Sequence, residues 1–251
     1  MTIATLSTII LCGVGGATTY AFVSKPSDFA QDSNTIWNEM EINEGACEIT
    51  PSYLAFNVDS LISDSDYIFS GTVINRKEYG VSWLDKTGEQ WGPYPSSVIE
   101  VKINKNYYGN PPTEGETIKV YSPDSLSANI HGSLPLKEGY EYIFITQYLD
   151  DEFAAKKSSN DRFEQEKHAN VYINNFRDNI INISNDDVAV YKEFFSNSNL
   201  ISPNNIKEIY TLNDVINSNV VNDNNFVLID KATFNNAFSS MINDNKINNI
   251  D

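Results

Sequence analysis

The stretch that decides the fold is residues 65–73, SDYIFSGTV. From Tyr67 onward its residues alternate between two faces, and both faces are partly apolar. We predict one long strand from about Asp66 to Tyr79, the kind that serves two portions of a sheet in a barrel. Gly71 has no Cβ, so it permits the sharp bend or bulge that closing a barrel requires.

Further elements are predicted on both sides of this strand. Apolar residues at helical spacing, from Leu54 to Ile62, predict a short helix that ends near Asp64. Alternating or turn-bounded apolar runs predict the later strands, namely 97–108 (SVIEVKINKNYY), 116–122 (ETIKVYS), 140–148 and a final hairpin around 170–184.

Glycine and asparagine divide the chain. All 12 glycines lie at or before Gly139, whereas residues 170–251 hold 22 asparagines. The first part is therefore predicted to be rich in strands and turns, and the second rich in helices. Three helices are predicted there: residues 186–196, a second from Ser202 and Pro203 to about Asn217, and a third capped by Asp230.

The N-terminal residues 1–24 contain no charged side chain, and the first charge is Lys25. This pattern predicts an export signal peptide or an N-terminal membrane anchor, and its short apolar centre favours a cleaved signal. The basic residues that usually open such a segment are missing, which a start upstream of Met1 would explain. The alternative is a buried N-terminal helix. Residues 25–50 are predicted to be a polar spacer.

Charge and cysteine content exclude several classes of protein. The net charge of −17 disfavours nucleic acid and anionic lipid head groups, because both require clustered Lys and Arg. We therefore expect no nucleic-acid partner, and membrane contact only through an uncleaved N-terminal segment. Cys12 lies in the predicted signal, so cleavage would leave Cys47 alone, and a disulfide-stapled scaffold is excluded.

The order of the segments resembles a known kind of domain. SLISDSD, YIFSGTV, SSVIEVKINKNYYGN, GETIKVYS and LPLKEGYEYIFIT follow one another as in a domain of exported proteins from Gram-positive bacteria. The resemblance implies a small five-stranded OB-like barrel, similar to netrin and metalloproteinase-inhibitor modules, over residues 51–185. It leaves residues 186–251 as an Asn-rich helical segment. The predicted fold class is thus mainly β with C-terminal helices (α+β).

No catalytic constellation is recognised in the sequence. His131 and His168 form no HExxH motif, and no cysteine pair accompanies them, so we expect no metal site and no cofactor. The acidic runs DSD (64–66) and DDE (150–152) lack the spacing of an EF-hand loop. The inhibitor branch of the resembled modules binds zinc through a cysteine at the mature N-terminus, which Cys47 does not match.

One segment, residues 80–95 (GVSWLDKTGEQWGPYP), is predicted to be a glycine-rich loop between the first two strands. It carries Trp83, Trp91 and Tyr94, which are candidate binding residues because aromatic side chains on loops can hold a sugar ring or a partner protein. The commoner alternative is that they cover the open end of the barrel.

These observations predict an exported, non-enzymatic bacterial protein that is secreted or attached to the cell surface. We expect it to bind an unidentified protein or a cell-wall glycan. The alternative function is that of a secreted hydrolase or a protease inhibitor.

Overall fold

The computed structural model describes residues 6–13, 16–23, 34–42, 47–49, 58–84, 87–122, 125–130, 136–148, 169–173, 180–182, 186–192, 195–196, 198, 200, 202–210 and 226–247. These residues are mainly strand, with a short helix α1 (Val58–Asp64) and a C-terminal helix α2 (Lys231–Ile247). The predicted class, mainly β with a helix at the C-terminus, is confirmed.

The strands in chain order are β1 (Leu6–Gly13), β2 (Gly16–Val23), β3 (Asn34–Met40), β4 (Cys47–Ile49), β5 (Tyr67–Leu84), β6 (Gln90–Tyr108), β7 (Thr117–Ser122), β8 (Ala128–Ile130), β9 (Glu141–Tyr148), β10 (Val171–Ile173), β11 (Ile180–Asn182), β12 (Asp187–Tyr191), β13 (Ile206–Tyr210) and β14 (Phe226–Asp230).

Five strands pair in a ring. β5 pairs with β6, β6 with β7, β7 with β10, β10 with β9, and β9 returns to β5. The β7–β10 pairing is parallel and joins only Val171 to Val120 and Tyr172 to Tyr121, so the ring is weakly closed there. The five strands thus form a partly open ring, which we call the barrel. Beyond the ring the sheet stays open, with β3 beside β5 and β11, β12, β14 and β13 beyond β9.

β5 serves two portions of the sheet, as its length predicts. One edge pairs with β9 over residues 67–72 and with β3 over residues 78–84. At the change of partner, the backbone N–H of Val73 donates to the Tyr140 carbonyl at 3.0 Å. The backbone N–H of Arg76 donates to the Glu138 carboxylate, also at 3.0 Å. The backbone groups at the switch are thus satisfied without a continuous partner strand.

Gly71 lies at a bulge in the β5–β6 ladder, where the register shifts between Ser70 and Gly71. A Cβ at Gly71 would lie 2.4 Å from Val101 Cγ1 and 2.7 Å from the Lys102 carbonyl oxygen. The close approach of β6 therefore requires glycine, which confirms the expected bulge at this position.

The C-terminal part differs from the predicted three helices. Residues 187–191 and 206–210 are strands β12 and β13, so the first two helices are wrong. Val188, Ala189 and Val190 are all buried, and a short buried strand gives the same apolar run as a buried helix. After Ser202 the chain makes a single turn, closed by the Asn205 N–H to Ser202 carbonyl bond of 3.0 Å, and then extends into β13.

The third predicted helix is confirmed as α2. Asp230 caps it by accepting the backbone N–H of Thr233 at 3.0 Å. Its buried face consists of Phe234, Phe238 and Ile242.

The barrel and the C-terminal part share one hydrophobic core. Phe69 stacks on Phe144 between β5 and β9, with ring centroids 5.2 Å apart. Tyr107, near the end of β6, meets Phe238 of α2 edge-on at 5.8 Å and donates its hydroxyl to Asn235 Oδ1 at 3.1 Å. Each fully buried Phe of this core stabilises the fold by about 1.5–3 kcal/mol. The C-terminal residues are therefore packed as part of the barrel domain.

Three further expectations need correction. β10 and β11 form no hairpin, because both pair with β9, at residues 146–148 and 141–143 respectively. Residues 6–13 and 16–23 pair as the antiparallel strands β1 and β2, so the alternative of an N-terminal helix is wrong. The predicted polar spacer contains β3, which belongs to the main sheet, and β4, which pairs with β8. Among the described helices, none has the length and apolar character to cross a membrane.

Candidate functional site

The candidate site lies on a three-stranded extension of the barrel, which we name the arm. It consists of β3, the second half of β5 (residues 78–84) and the first half of β6 (residues 90–97). β5 and β6 continue into it from the barrel without interruption, so the arm is fixed by the strands of the barrel wall. The predicted loop 80–95 is mostly strand, which corrects that expectation, because β5 ends at Leu84 and β6 begins at Gln90.

The backbone register of the arm aligns its aromatic positions. Trp83 lies opposite Trp91 on β6, and Val81 lies opposite Tyr94 on β6 and Trp37 on β3. Directly paired residues share a face of a sheet, and so do residues two apart on one strand. The positions of Trp37, Trp83, Trp91 and Tyr94 therefore belong to one face of the sheet, which we call the aromatic face. With strands about 4.8 Å apart, it is roughly 10 Å wide.

A bulge in β6 produces this alignment. Trp91 and Tyr94 are three residues apart, so in a regular strand they would lie on opposite faces. Between the Trp83–Trp91 and Val81–Tyr94 pairs, however, β6 contains one more residue than β5. Gly92 lies in the bulge with a φ of 100°, and a Cβ there would be 2.6 Å from the Val81 carbonyl oxygen. Only glycine fits this position readily.

The aromatic face continues toward the barrel. Tyr79 and Tyr121 pack around the buried residues Val98 and Ala169. Tyr121 OH and Ser96 Oγ form a hydrogen bond of 3.1 Å. Burial raises the pKa of Tyr79, with a smaller contribution from the negative charge of Glu39, while Lys77 opposes it. At this end of the arm the surface is thus packed and partly shielded from water.

Lys77 and Glu39 border the same face. Lys77 Nζ donates to Glu39 Oε1 at 3.1 Å, and this hydrogen bond is the main reason that the pKa of Lys77 is raised. Both side chains are at least half exposed, so the pair adds little to stability.

The opposite face of the arm holds a buried ion pair. Arg76 Nε donates to Glu78 Oε1 at 2.6 Å, and Arg76 Nη1 donates to the Leu136 carbonyl at 2.8 Å. Glu78 also accepts the backbone N–H of Leu126 at 3.0 Å and the hydroxyl of Ser125. Each charge therefore has several partners, as burial demands. The pair attaches the 125–127 segment and Leu136 to β5.

Small residues surround this pair. Gly80, Ser82, Ser97 and Ser122 are all buried. Within the described part of the chain, Ser82 Oγ and Ser122 Oγ have no hydrogen-bond partner. Ser125 Oγ accepts the Ser127 N–H at 3.0 Å besides donating to Glu78, so it is held in place from both sides.

The remaining candidates lie elsewhere. Asp66 of the DSD run accepts the backbone N–H of Tyr148 at 2.8 Å, which gives that acidic corner a role in strand pairing. DDE at 150–152 and both histidines lie outside the described residues. Cys47 is the first residue of β4, opposite Ala128 of β8. Among the described residues, no three His, Cys, Asp or Glu residues are grouped as metal ligands.

Sequence reasoning identified Trp83, Trp91 and Tyr94 but missed Trp37 and the buried pair. Trp37 falls in the region predicted to be a spacer, where Thr35, Trp37 and Glu39 alternate with Ile36, Asn38 and Met40. That alternation was the available indication of a strand. Arg76 and Glu78 are two apart on a strand predicted to have two apolar faces, so their burial had no indication in the local pattern.

Comparison with models of known protein families gives no match, and comparison with curated proteins gives none either.

Proposed function

We propose that this protein is an exported, non-enzymatic binding protein of the bacterial cell surface, and that the aromatic face of the arm is its binding surface. The observation that carries the proposal is the register of the arm. The Cα pairing assigns the positions of all three tryptophans of the chain, together with that of Tyr94, to one face of three adjacent strands.

The ligand that best suits this surface is an uncharged stretch of cell-wall glycan. Sugar rings pack against aromatic rings through their C–H faces, and tryptophan offers the largest such area. A net charge of −17 disfavours anionic wall polymers. The arm adjoins the barrel through continuous strands, so little conformational entropy is lost when it holds a long ligand.

Binding to isolated, protein-free cell walls tests the proposal. Trp83→Ala and Trp91→Ala should each cost about 1–3 kcal/mol of affinity while the melting temperature stays near that of the parent. Tyr148→Ala is the matched control, because it removes an exposed aromatic side chain of β9 outside the arm. A soluble neutral glycan should compete for binding.

Other outcomes would replace the proposal. If the tryptophan variants melt much lower and bind walls as the parent does, the aromatic face is a packing surface. Binding that survives removal of the glycan and follows a wall protein would favour a protein partner. Release of sugar from the walls would favour the hydrolase alternative.

Export is supported by the charge-free residues 1–24. N-terminal sequencing of the protein from culture supernatant should show cleavage between about residues 17 and 30. Protein that is found only in the cytosol, with Met1 intact, would contradict export without bearing on the arm.

A further inference from the structure

The two end strands of the ten-stranded sheet, β13 and β3, differ in how their outer edges are protected. β13 has five residues, with Lys207 exposed and a bulge between Ile206 and Glu208. Lysine and bulges are devices that prevent an edge strand from pairing with another chain. β3 has seven residues, NTIWNEM, without proline, lysine or arginine, and it pairs with β5 over its whole length without a register shift. The β3 edge is therefore the less protected one.

The outer edge of β3 offers backbone groups for pairing. Among the strands that the structure describes, β3 pairs with β5 alone. Alternate residues of β3 therefore direct their N–H and C=O groups away from β5. At the end of the strand, Asn38, Glu39 and Met40 are exposed to solvent. The described part of the chain thus leaves this edge accessible to another strand.

We propose that β3 pairs with the β3 of a second copy of this chain, antiparallel and across a twofold axis through Trp37. Trp37 is the central residue of the strand, so this register pairs all seven residues of each copy. It joins the aromatic faces of two arms into one face of six strands. Because the β13 edge is protected, the assembly closes as a dimer and does not extend into a fibre. The pairing requires no particular ligand on the aromatic face, so it is independent of the function proposed above.

The charge pattern of β3 favours this register. Glu39 is the only charged residue of the strand. In the twofold pairing it lies opposite the partner's Thr35, so no like charges are directly opposed across the strands. Glu39 also keeps its hydrogen bond with Lys77 of its own chain at 3.1 Å. A register centred on Glu39 would place two carboxylates opposite each other and is disfavoured.

Cysteine substitution tests the register on the full chain. In a background of Cys12→Ser and Cys47→Ser, Trp37→Cys should form a disulfide-linked dimer on mild oxidation. Directly opposed residues of antiparallel strands have Cα atoms about 4.5–5.5 Å apart, which a disulfide can span. Thr35→Cys is the matched control. Its position would be four residues out of register with its own copy, about 14 Å away along the strands, so it should stay monomeric on a non-reducing gel.

Sedimentation velocity of the parent tests the assembly without any substitution. The fraction of dimer should rise with protein concentration. Each copy carries a net charge of −17, so the two copies repel each other over longer distances. Salt screens this repulsion, and raising it from about 0.05 to 0.5 M should strengthen dimerisation several-fold.

Two further variants separate local from overall charge. Thr35→Glu adds a carboxylate opposite the partner's Glu39 at two places and should weaken the dimer by about tenfold. Ile209→Glu makes the same change in net charge at an exposed position of β13 and should leave the dimer nearly unchanged. A parent that stays monomeric up to millimolar concentration, assemblies larger than a dimer, equal weakening by both glutamate variants, or equal cross-linking of Trp37→Cys and Thr35→Cys would each overturn the proposal.

Discussion

Arg76 and Glu78, two residues apart on β5, form an ion pair of 2.6 Å in which 0% and 1% of the two side chains is exposed. Both residues occupy positions on the face of β5 opposite to that of Trp83. The partners of the pair come from residues 125, 126 and 136, so one contact joins β5 to two separate segments of the chain.

Glu78→Leu should lower the free energy of unfolding by about 3–5 kcal/mol, because the guanidinium of Arg76 would stay buried after losing the Glu78 carboxylate. The double variant Arg76→Met, Glu78→Leu should recover part of that loss. Urea unfolding of the single and double variants measures both effects. If the double variant were no more stable than Glu78→Leu, the buried charge of Arg76 would not be the cause of the loss.

Gly71→Val should lower the free energy of unfolding by about 1–3 kcal/mol, because its side chain would collide with Val101 and the Lys102 carbonyl at the bulge. Thr117→Val, at an exposed position of β7, is the control and should change stability by less than about 0.5 kcal/mol. Thermal unfolding of Gly71→Val that matched the parent would mean that β6 can move away at little cost.

Gly92→Ala should lower stability by about 1–3 kcal/mol, because an alanine at a φ of 100° is strained and its Cβ meets the Val81 carbonyl. If the bulge aligns Trp91 with Tyr94, the affinity for cell walls should also fall, and by more than the loss of stability alone would cause. The control is Gly88→Ala. Gly88 also has a positive φ, but no atom lies within 4 Å of the added Cβ, so this variant shows the effect of backbone strain without misalignment of the strands. Equal binding losses in both variants would refute the alignment argument.

Tyr107 should make stability fall in alkaline solution. The pKa of Tyr107 is raised to about 12, mainly by burial and secondly by the negative charge of Glu141. A hydrogen bond with Ser70 lowers the pKa by a smaller amount. The unfolded chain loses this proton near pH 10 and the folded chain near pH 12. The contribution of neutral Tyr107 to the free energy of unfolding is therefore complete below pH 10 and is lost as the pH rises to 12.

Tyr107→Phe isolates that contribution. It should cost about 1 kcal/mol at neutral pH through loss of the hydrogen bond to Asn235. Between pH 10 and 12 its stability should then fall less steeply than that of the parent, as measured by urea unfolding at each pH. Parallel pH curves for the two proteins would contradict the assignment.

The barrel was predictable because its pattern is local. The two-faced run from Tyr67, the glycine at 71 and the helical spacing before Asp64 each reflect contacts of one strand or helix. β12 was not predictable in this way, because Val188, Ala189 and Val190 are all buried and such a run fits a helix equally well.

The candidate site, too, was predictable only where its pattern is local. Trp83, Trp91 and Tyr94 could be chosen as aromatic residues in an unusual segment, but their common face depends on the extra residue at Gly92. A bulge is defined by the partner strand, so its position cannot be read from β6 alone. Trp37 joins the others only through the pairing of β3 with β5.

The uninterrupted course of β5 and β6 from barrel to arm has a mechanical consequence. A ligand that is held by the arm would pull on β5 and β6 together, so the load would fall on the ladders that join these strands to β9 and β7, whose hydrogen bonds lie perpendicular to it. All of those bonds would then share the force, instead of opening one after another from the end. The protein should therefore resist detachment under flow through its backbone, and the contacts with the ligand should yield first.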